Sequence, residues 1–158
     1  MGRGSLLTSF EGRISRKRYW IGIIVLMIAM IVLTVVIAYP AGLSLLEESR
    51  GQRLLSFALQ LVFLYPSAAL MVKRLHDRNR PGAFALLLLV PFVTVGLTDL
   101  YGITGNALSP NAYDVILTGI LLIVSIWFLV ELGFLRGTIG PNRYGPDPLA
   151  PSTAAPTA

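Results

Sequence analysis

Four long apolar runs, separated by short polar segments, constrain this chain more than any other feature. The runs are Ile21–Ala38, Leu54–Val72, Ala83–Leu97 and Val115–Leu135. A helix needs about 20 apolar residues to cross the roughly 30 Å hydrocarbon core of a bilayer. The third run has only 15 residues, and an extension toward Ile103 would bring it to that length. The pattern predicts four transmembrane helices.

The composition supports the same conclusion. The chain is 54% hydrophobic and 13% charged, whereas soluble domains carry about 25% charged residues. A body of 158 residues cannot hide this much apolar surface from water. We therefore expect an all-α membrane protein in which residues 1–148 form one transmembrane domain. Residues 149–158 are mostly Pro, Ala, Ser and Thr and are predicted to be a disordered tail.

The segment before the first run combines apolar and basic residues. Within Met1–Trp20, Phe10 and Ile14 share a face at helical spacing with Leu6 or Leu7. The segment then turns basic and ends in an aromatic pair, which is typical of a short helix lying at the membrane surface. Ser15 is a candidate N-cap for the first transmembrane helix. The alternative is a basic lead-in that only sets orientation.

A few polar or helix-breaking residues lie inside the apolar runs. Gln60 is near the middle of the second run and predicts an interhelical hydrogen bond, while Pro66 predicts a kink. Gly133 and Gly137 have the spacing of a helix-dimerisation pair, although they straddle the membrane edge. A transport path would need polar groups at mid-depth, and Gln60 and Ser125 are the few candidates.

The basic residues are distributed unevenly among the polar segments. Five Lys and Arg residues precede the first run, two lie in the first connection and four in the second connection (Lys73–Gly82). The third connection has none, and two follow the fourth run. Alternate sides of the membrane therefore hold eleven and two. Because Lys and Arg are retained on the cytoplasmic side, both termini are expected there. Attraction to anionic lipid headgroups accounts for the net charge of +5 without nucleic acid.

Three polar motifs occur in a specific order along the chain. They are FEGRISRKRYW at Phe10–Trp20, KRLHD at Lys73–Asp77 and GPNRYGPDP at Gly140–Pro148, with Pro91 downstream of the second. Together they resemble the bacterial domain-of-unknown-function 805 family of small inner-membrane proteins. The resemblance covers residues 6–148. It implies a multi-pass protein of the bacterial inner membrane without an established activity. One departure is Arg78–Phe84, where the family has a small polar run ending in glycine and tryptophan.

The predicted topology places all three motifs at the cytoplasmic ends of the helices. A carboxylate in a span is costly unless it is paired, so we expect an arginine such as Arg74 beside Glu131. One interpretation is a hydrogen-bonded clasp that ties helix ends together. The other is a site for an anionic ligand such as a lipid phosphate. The predicted polar cluster consists of Arg13, Arg16, Arg74, His76, Asp77, Glu131, Asn142, Arg143 and Tyr144.

Catalytic and metal chemistry receive little support from the sequence. The chain has no cysteine and one histidine, so a thiolate or histidine-rich metal site is excluded. His76 and Asp77 are adjacent, and their side chains diverge by about 100° on a helix. No nucleophile elbow or Walker loop is present. We therefore expect no enzyme activity and no cofactor. The two hypotheses are a structural or accessory role, in which the partners are lipid, a second copy or other membrane proteins, and anionic-lipid or small-anion binding or transport.

Overall fold

The computed structural model of the protein describes residues 6–38, 49–105 and 110–150. Helix α1 spans Arg16–Ala38, α2 Arg50–Asp77, α3 Leu86–Leu100 and α4 Ala112–Phe128. A 3-10 turn, Gly82–Ala85, precedes α3, and a π-helical turn, Leu129–Phe134, continues α4. Over these ranges the chain has no β-strand, only an isolated bridge between Asn142 and Gly145. All four helices, counted with their flanking turns, are long and apolar enough to cross a membrane, which confirms the predicted fold class.

Two capping boxes set helix starts that hydropathy alone places differently. Ser49 accepts a hydrogen bond from the backbone N–H of Gln52, whose side chain bonds back to the Ser49 N–H, so α2 begins at Arg50. Asn111 and Asp114 cap α4 in the same way. Such reciprocal bonds satisfy backbone donors that the first helical turn leaves free. The second apolar run is therefore only the middle part of a longer helix.

The separate interfacial helix predicted before α1 is absent from residues 6–15. Leu6–Thr8 form a turn, and residues 9–15 are irregular. Gly12 has a φ of +83°, a left-handed conformation that a right-handed helix cannot include. Ser15 confirms its predicted role, because its hydroxyl accepts from Arg18 N–H at 3.5 Å at the start of α1. The part of the prediction that concerns residues 1–5 lies outside the described residues.

The N-terminal segment instead folds against α1 and α2. Its apolar residues pack around Leu70 in a small cluster that also includes Leu26. Side chains of α2 satisfy its backbone, since Lys73 Nζ donates to the Leu6 carbonyl at 3.0 Å and the Tyr65 hydroxyl donates to Thr8. These contacts explain why the segment needs no helix of its own. Its carbonyls find partners on the neighbouring helix.

The four helices pack in chain order. Contacts join α1 to α2, α2 to α3, and α3 to α4, and the π-helical turn after α4 also packs against α1 and α2. Between the described parts of α1 and α4 themselves there is no contact within 8 Å of Cα atoms. A second core cluster, which contains Leu75, Ala85, Phe128 and Leu132, lies at the end of the bundle where the π-helical turn packs. The bundle is therefore closed at one end and open between α1 and α4 at the other.

The predicted role of Gln60 is confirmed. Its Nε2 donates to the carbonyl of Phe92 on α3 at 2.8 Å. Gly96 makes room for it, because a Cβ there would lie only 2.9 Å from Gln60 Cδ and from a ring carbon of Phe57. Helix α2 runs through Pro66, and α3 runs through Pro91, without a break in either helix.

We expect Gln60→Met to destabilise the protein slightly. Methionine is unbranched and fills similar space, but it cannot donate to Phe92. Interhelical hydrogen bonds of this kind contribute about 0.6 kcal/mol on average, and we expect a loss of that size. The measurement is unfolding by SDS in mixed micelles, with Ser56→Ala, an exposed change on the same helix, as control. Equal stability of the two variants would show that the bond contributes nothing.

Candidate functional site

Asp77, at the C-terminal end of α2, is the centre of a buried ion network. Its side chain is nearly inaccessible, with a residue exposure of 3%. Arg13 donates to Oδ1 through Nε at 3.1 Å and through Nη2 at 3.0 Å. Arg74, one helical turn earlier, donates to Oδ2 through Nη1. One carboxylate therefore holds two guanidinium groups. We use the name clasp for Arg13, Arg74 and Asp77 together with the backbone of residues 132–145 to which they bind.

Arg13 joins the N-terminal segment to the chain beyond α4. Beside its bonds to Asp77, it donates to the carbonyls of Thr138 at 2.6 Å, Gly140 at 2.7 Å and Gly145 at 3.2 Å. All three nitrogens of its guanidinium have acceptors within the protein. Since hydrogen bonds to charged groups stabilise by more than neutral ones, this residue anchors the C-terminal segment firmly.

Arg74 terminates the π-helical turn. It is fully buried, and it donates through Nε to the carbonyl of Leu132 at 2.7 Å and through Nη2 to that of Leu135. The last carbonyls of any helix lack partners within the helix, and a cationic side chain suits the negative end of the helix dipole. Arg74 fills this role from a neighbouring helix. Thr138 adds a direct link by donating its N–H to the Asp77 carbonyl at 2.8 Å.

His76 faces away from Asp77, as the helical geometry predicts. Its ring stacks on Tyr144, with centroids 3.8 Å apart and planes 6° from parallel, and its Nδ1 lies 3.2 Å from the Gly12 carbonyl. Asn142 donates to the His76 carbonyl at 2.9 Å, and the Arg143 guanidinium lies 4.7 Å from the centre of the Tyr144 ring. The motif Gly140–Pro148 therefore contacts the end of α2 at His76 as well as meeting Arg13 beside Asp77.

Glu131 has different partners from the one that the sequence favours. It is buried in the π-helical turn and pairs with Arg78 Nε at 3.1 Å and Arg80 Nε at 2.7 Å. The expected arginine partner is therefore present, but it is not Arg74, because Asp77 and two carbonyls already engage the nitrogens of Arg74. Both partners belong to the second connection, which is thereby tied to α4. The sequence held a signal for this pairing, since Arg78 lies one helical turn beyond Arg74 and so on the same face of the helix.

The glycine pair predicted for helix dimerisation serves contacts inside the chain. A Cβ on Gly133 would lie 2.8 Å from the Trp20 ring, whose Nε1 donates to the Gly133 carbonyl at 3.1 Å. A Cβ on Gly137 would lie 2.5 Å from Asp77 Cγ. Both glycines let another part of the same molecule approach the backbone, so the spacing does not indicate a dimer.

Comparison with known proteins identifies the fold's relatives. A model of the family described as "Protein of unknown function (DUF805)" matches residues 7–146. The chain belongs to this family. It is 35% identical over 143 residues to "Uncharacterized protein YiiR" of Escherichia coli (strain K12), which is 89% of this chain and 86% of the relative. It is also 32% identical over 139 residues to "Inner membrane protein YhaI" of the same strain, with 88% and 85% covered. No solved structure matches the chain.

In this DUF805 protein every residue of the clasp lies within the range that the family model matches. Eight of the nine predicted site residues lie at the closed end, seven of them around the end of α2 and Glu131 in a separate group with Arg78 and Arg80. Arg16 is the exception. It is exposed and donates only to the Phe134 carbonyl at 2.9 Å. Residues that the sequence did not single out include Trp20, Arg78, Arg80 and Thr138.

The donor set gives little scope for bound metal. Over the described ranges of this DUF805 protein, no three His, Asp or Glu side chains gather into a group that could hold an ion. Asp147, just beyond the family match, is held by backbone instead. The N–H groups of Leu149 and Gly140 donate to it and keep the pKa of its carboxyl below the usual value. It therefore remains a carboxylate at neutral pH.

Proposed function

We propose that the protein is a structural or accessory component of the bacterial inner membrane and not an enzyme. The observation that supports this most is the way the clasp uses its charges. Arg13 and Arg74 direct their nitrogens at Asp77 and at backbone carbonyls, so both buried cations act in holding the fold together. A catalytic or ligand-gripping cluster would keep such groups available to a substrate.

The proposal places both termini and the clasp on the cytoplasmic side. The support is the distribution of Lys and Arg, eleven against two, which favours cytoplasmic retention of the richer side. A relative named "Inner membrane protein YhaI" supports the inner membrane as the location, while the orientation rests on the charge distribution. The network of Arg78, Arg80 and Glu131 would then hold the second connection at the cytoplasmic surface.

Thiol labelling tests this orientation directly, because the natural chain has no cysteine. Leu149→Cys and Tyr101→Cys introduce single thiols at residues that are 68% and 74% exposed, near the two opposite ends of the bundle. On intact spheroplasts, a membrane-impermeant maleimide should label Cys at position 101 and reach position 149 only after the membrane is opened. Labelling of position 149 on intact cells would reverse the proposed topology.

Arg74→Ala tests whether the cluster is structural. We expect the variant to accumulate poorly in membranes, because carbonyls and a carboxylate lose their buried partner. Arg143→Ala, which removes one exposed hydrogen bond and a ring contact, is the control and should accumulate normally. Normal accumulation of Arg74→Ala together with lost binding of phosphatidylglycerol would contradict the structural role and favour a ligand site.

Transport is tested with the purified protein in sealed phosphatidylglycerol liposomes. We expect phosphate and chloride to leak no faster than from liposomes without protein. Of the two mid-depth polar candidates, Gln60 donates its side-chain N–H to Phe92, which leaves Ser125 to line a path. A protein-dependent anion flux would replace the accessory role with a transport role.

A second candidate function is the binding of anionic lipid. One observation favours it. Arg16 and Arg136, neither of which belongs to the clasp, both line a cavity at the closed end of the bundle.

A further inference from the structure

A cavity lies between the start of α1 and the chain that follows α4. Its volume is about 290 Å³, and it is open to the outside. The walls include Ser15, Arg16, Arg74, the stretch Arg136–Ile139 and the stretch Asp147–Ala150. Charged side chains outside the ion pairs meet a concave surface here, at the end of the bundle where the helix ends are tied together.

The charge of the cavity favours an anion. Arg16 and Arg136 are both exposed, and across the described chain the Arg136 guanidinium has neither a hydrogen bond nor an ion pair. Two carboxylates also face the cavity, but both are already engaged. Asp77 is bound by two arginines, and Asp147 accepts from two backbone N–H groups and also feels the charges of Arg13 and Arg136. The positive groups are therefore in excess where a ligand would enter.

The beginning of α1 adds to this excess. Its first turn holds Arg16 and no acidic residue. Cations there face the positive end of the helix dipole, an arrangement that a bound anion would stabilise. The helix start alone would not define a site. The cavity also places Arg136 beside the helix start, so a ligand there would contact more than α1.

Beyond the cavity, the protein surface becomes apolar toward the open end of the bundle. The rings of Trp20 and Phe134 meet at the junction, with centroids 6.0 Å apart, and Phe134 is 60% exposed. Past this junction α1 and α4 separate, and both carry exposed apolar side chains such as Ile28 and Ile123. A ligand that fits both parts has an anionic head and apolar chains.

We propose that an anionic glycerophospholipid binds at this position. Its phosphate lies between Arg16 and Arg136, and its acyl chains run along the gap between α1 and α4. Guanidinium groups pair with phosphate oxygens in a bidentate manner, which suits a cavity that two arginines line. The volume matches a phosphate with its glycerol and excludes a whole lipid, so the chains must extend outside into the bilayer. This inference rests on the second candidate function and not on the clasp.

The test compares two double variants that remove the same charge. Arg16→Gln with Arg136→Gln removes the cavity arginines, while Lys17→Gln with Arg18→Gln removes two exposed cations that do not line the cavity. Phosphatidylglycerol is titrated into the delipidated full chain and detected by native mass spectrometry. We expect the cavity variant to lose about tenfold in affinity or more, as for one or two charge-assisted hydrogen bonds, and the control to lose about twofold or less.

Further measurements separate the alternatives. Phosphatidylglycerol should raise the thermal midpoint of the natural chain and of the control but not that of the cavity variant. Equal loss in both variants would overturn the site, because it would show only general attraction to charge. Inorganic phosphate that binds the natural chain as tightly as the lipid does would also overturn it, in favour of a free-anion site.

Folding of the variants does not limit the test. If the double variant does not accumulate, Arg136→Gln alone replaces it, since that side chain has no bond to lose in the described structure. The single variant should still lose severalfold in lipid affinity, and unchanged affinity would overturn the proposal. The clasp is tested separately through Arg74 and Asp77. Neither Arg16→Gln nor Arg136→Gln removes a bond of the clasp, so the two failures are distinguishable.

Discussion

Asp77→Asn is expected to lower the free energy of unfolding by about 3–5 kcal/mol, the usual cost of removing one partner from a buried ion pair. The change keeps the size of the side chain but leaves Arg13 and Arg74 facing each other without a counter-charge. Arg74 is fully buried, so water cannot replace the lost carboxylate. Two helix ends and the N-terminal segment lose their common anchor at once.

Accumulation and thermal stability measure this effect. By the scaling of soluble domains, a loss of 3 kcal/mol lowers the melting temperature of a chain of this size by roughly 6–12 °C. Asp147→Asn is the matched control at the same end of the molecule. Its carboxylate accepts hydrogen bonds from backbone N–H groups at the surface, so the expected loss is small and well below that of Asp77→Asn. If the two variants had the same melting temperature, the clasp would contribute no more than an ordinary surface contact.

The transmembrane helices could be predicted because bilayer thickness limits them more than any side-chain detail. The helix ends could not be predicted from hydropathy. Capping boxes at Ser49 and Asn111 start α2 and α4 within polar sequence, before the apolar runs begin. The N-terminal segment shows a different limit. The spacing of Phe10 and Ile14 fits a helix, yet the same residues pack equally well from irregular backbone once Gly12 turns the chain.

Sequence reasoning selected the members of the candidate cluster from the predicted topology, but it could not supply their pairing. In the described residues the three motifs lie at one end of the bundle. Which arginine binds Glu131 depends on the reach of each side chain and on the hydrogen bonds that it already makes. Arg74 is engaged by Asp77 and by the carbonyls of the π-helical turn, so Arg78 and Arg80 remain for Glu131. A π-helical turn has no reliable sequence signature, and it decides where those carbonyls point.

The closeness of Gly137 to Asp77 separates two explanations for the glycine. If it served only backbone freedom, alanine would be tolerated, because its φ is not in the left-handed range. If it serves close approach, an added methyl group collides with the carboxylate. Asp77 cannot move aside to relieve the collision, since both of its oxygens are held by arginines.

We therefore expect Gly137→Ala to cost about 1–3 kcal/mol, the range for overpacking a filled interior. Gly119→Ala is the control within α4, where an added Cβ meets nothing within 4 Å. Because glycine in a helix interior is less stable than alanine by about 0.5–1 kcal/mol, this control should be neutral or slightly stabilising. Unfolding by SDS in mixed micelles measures both variants against the natural chain. Opposite signs for two identical substitutions would show that the clasp requires the absence of a side chain at Gly137, whereas equal effects would assign the glycine to backbone flexibility.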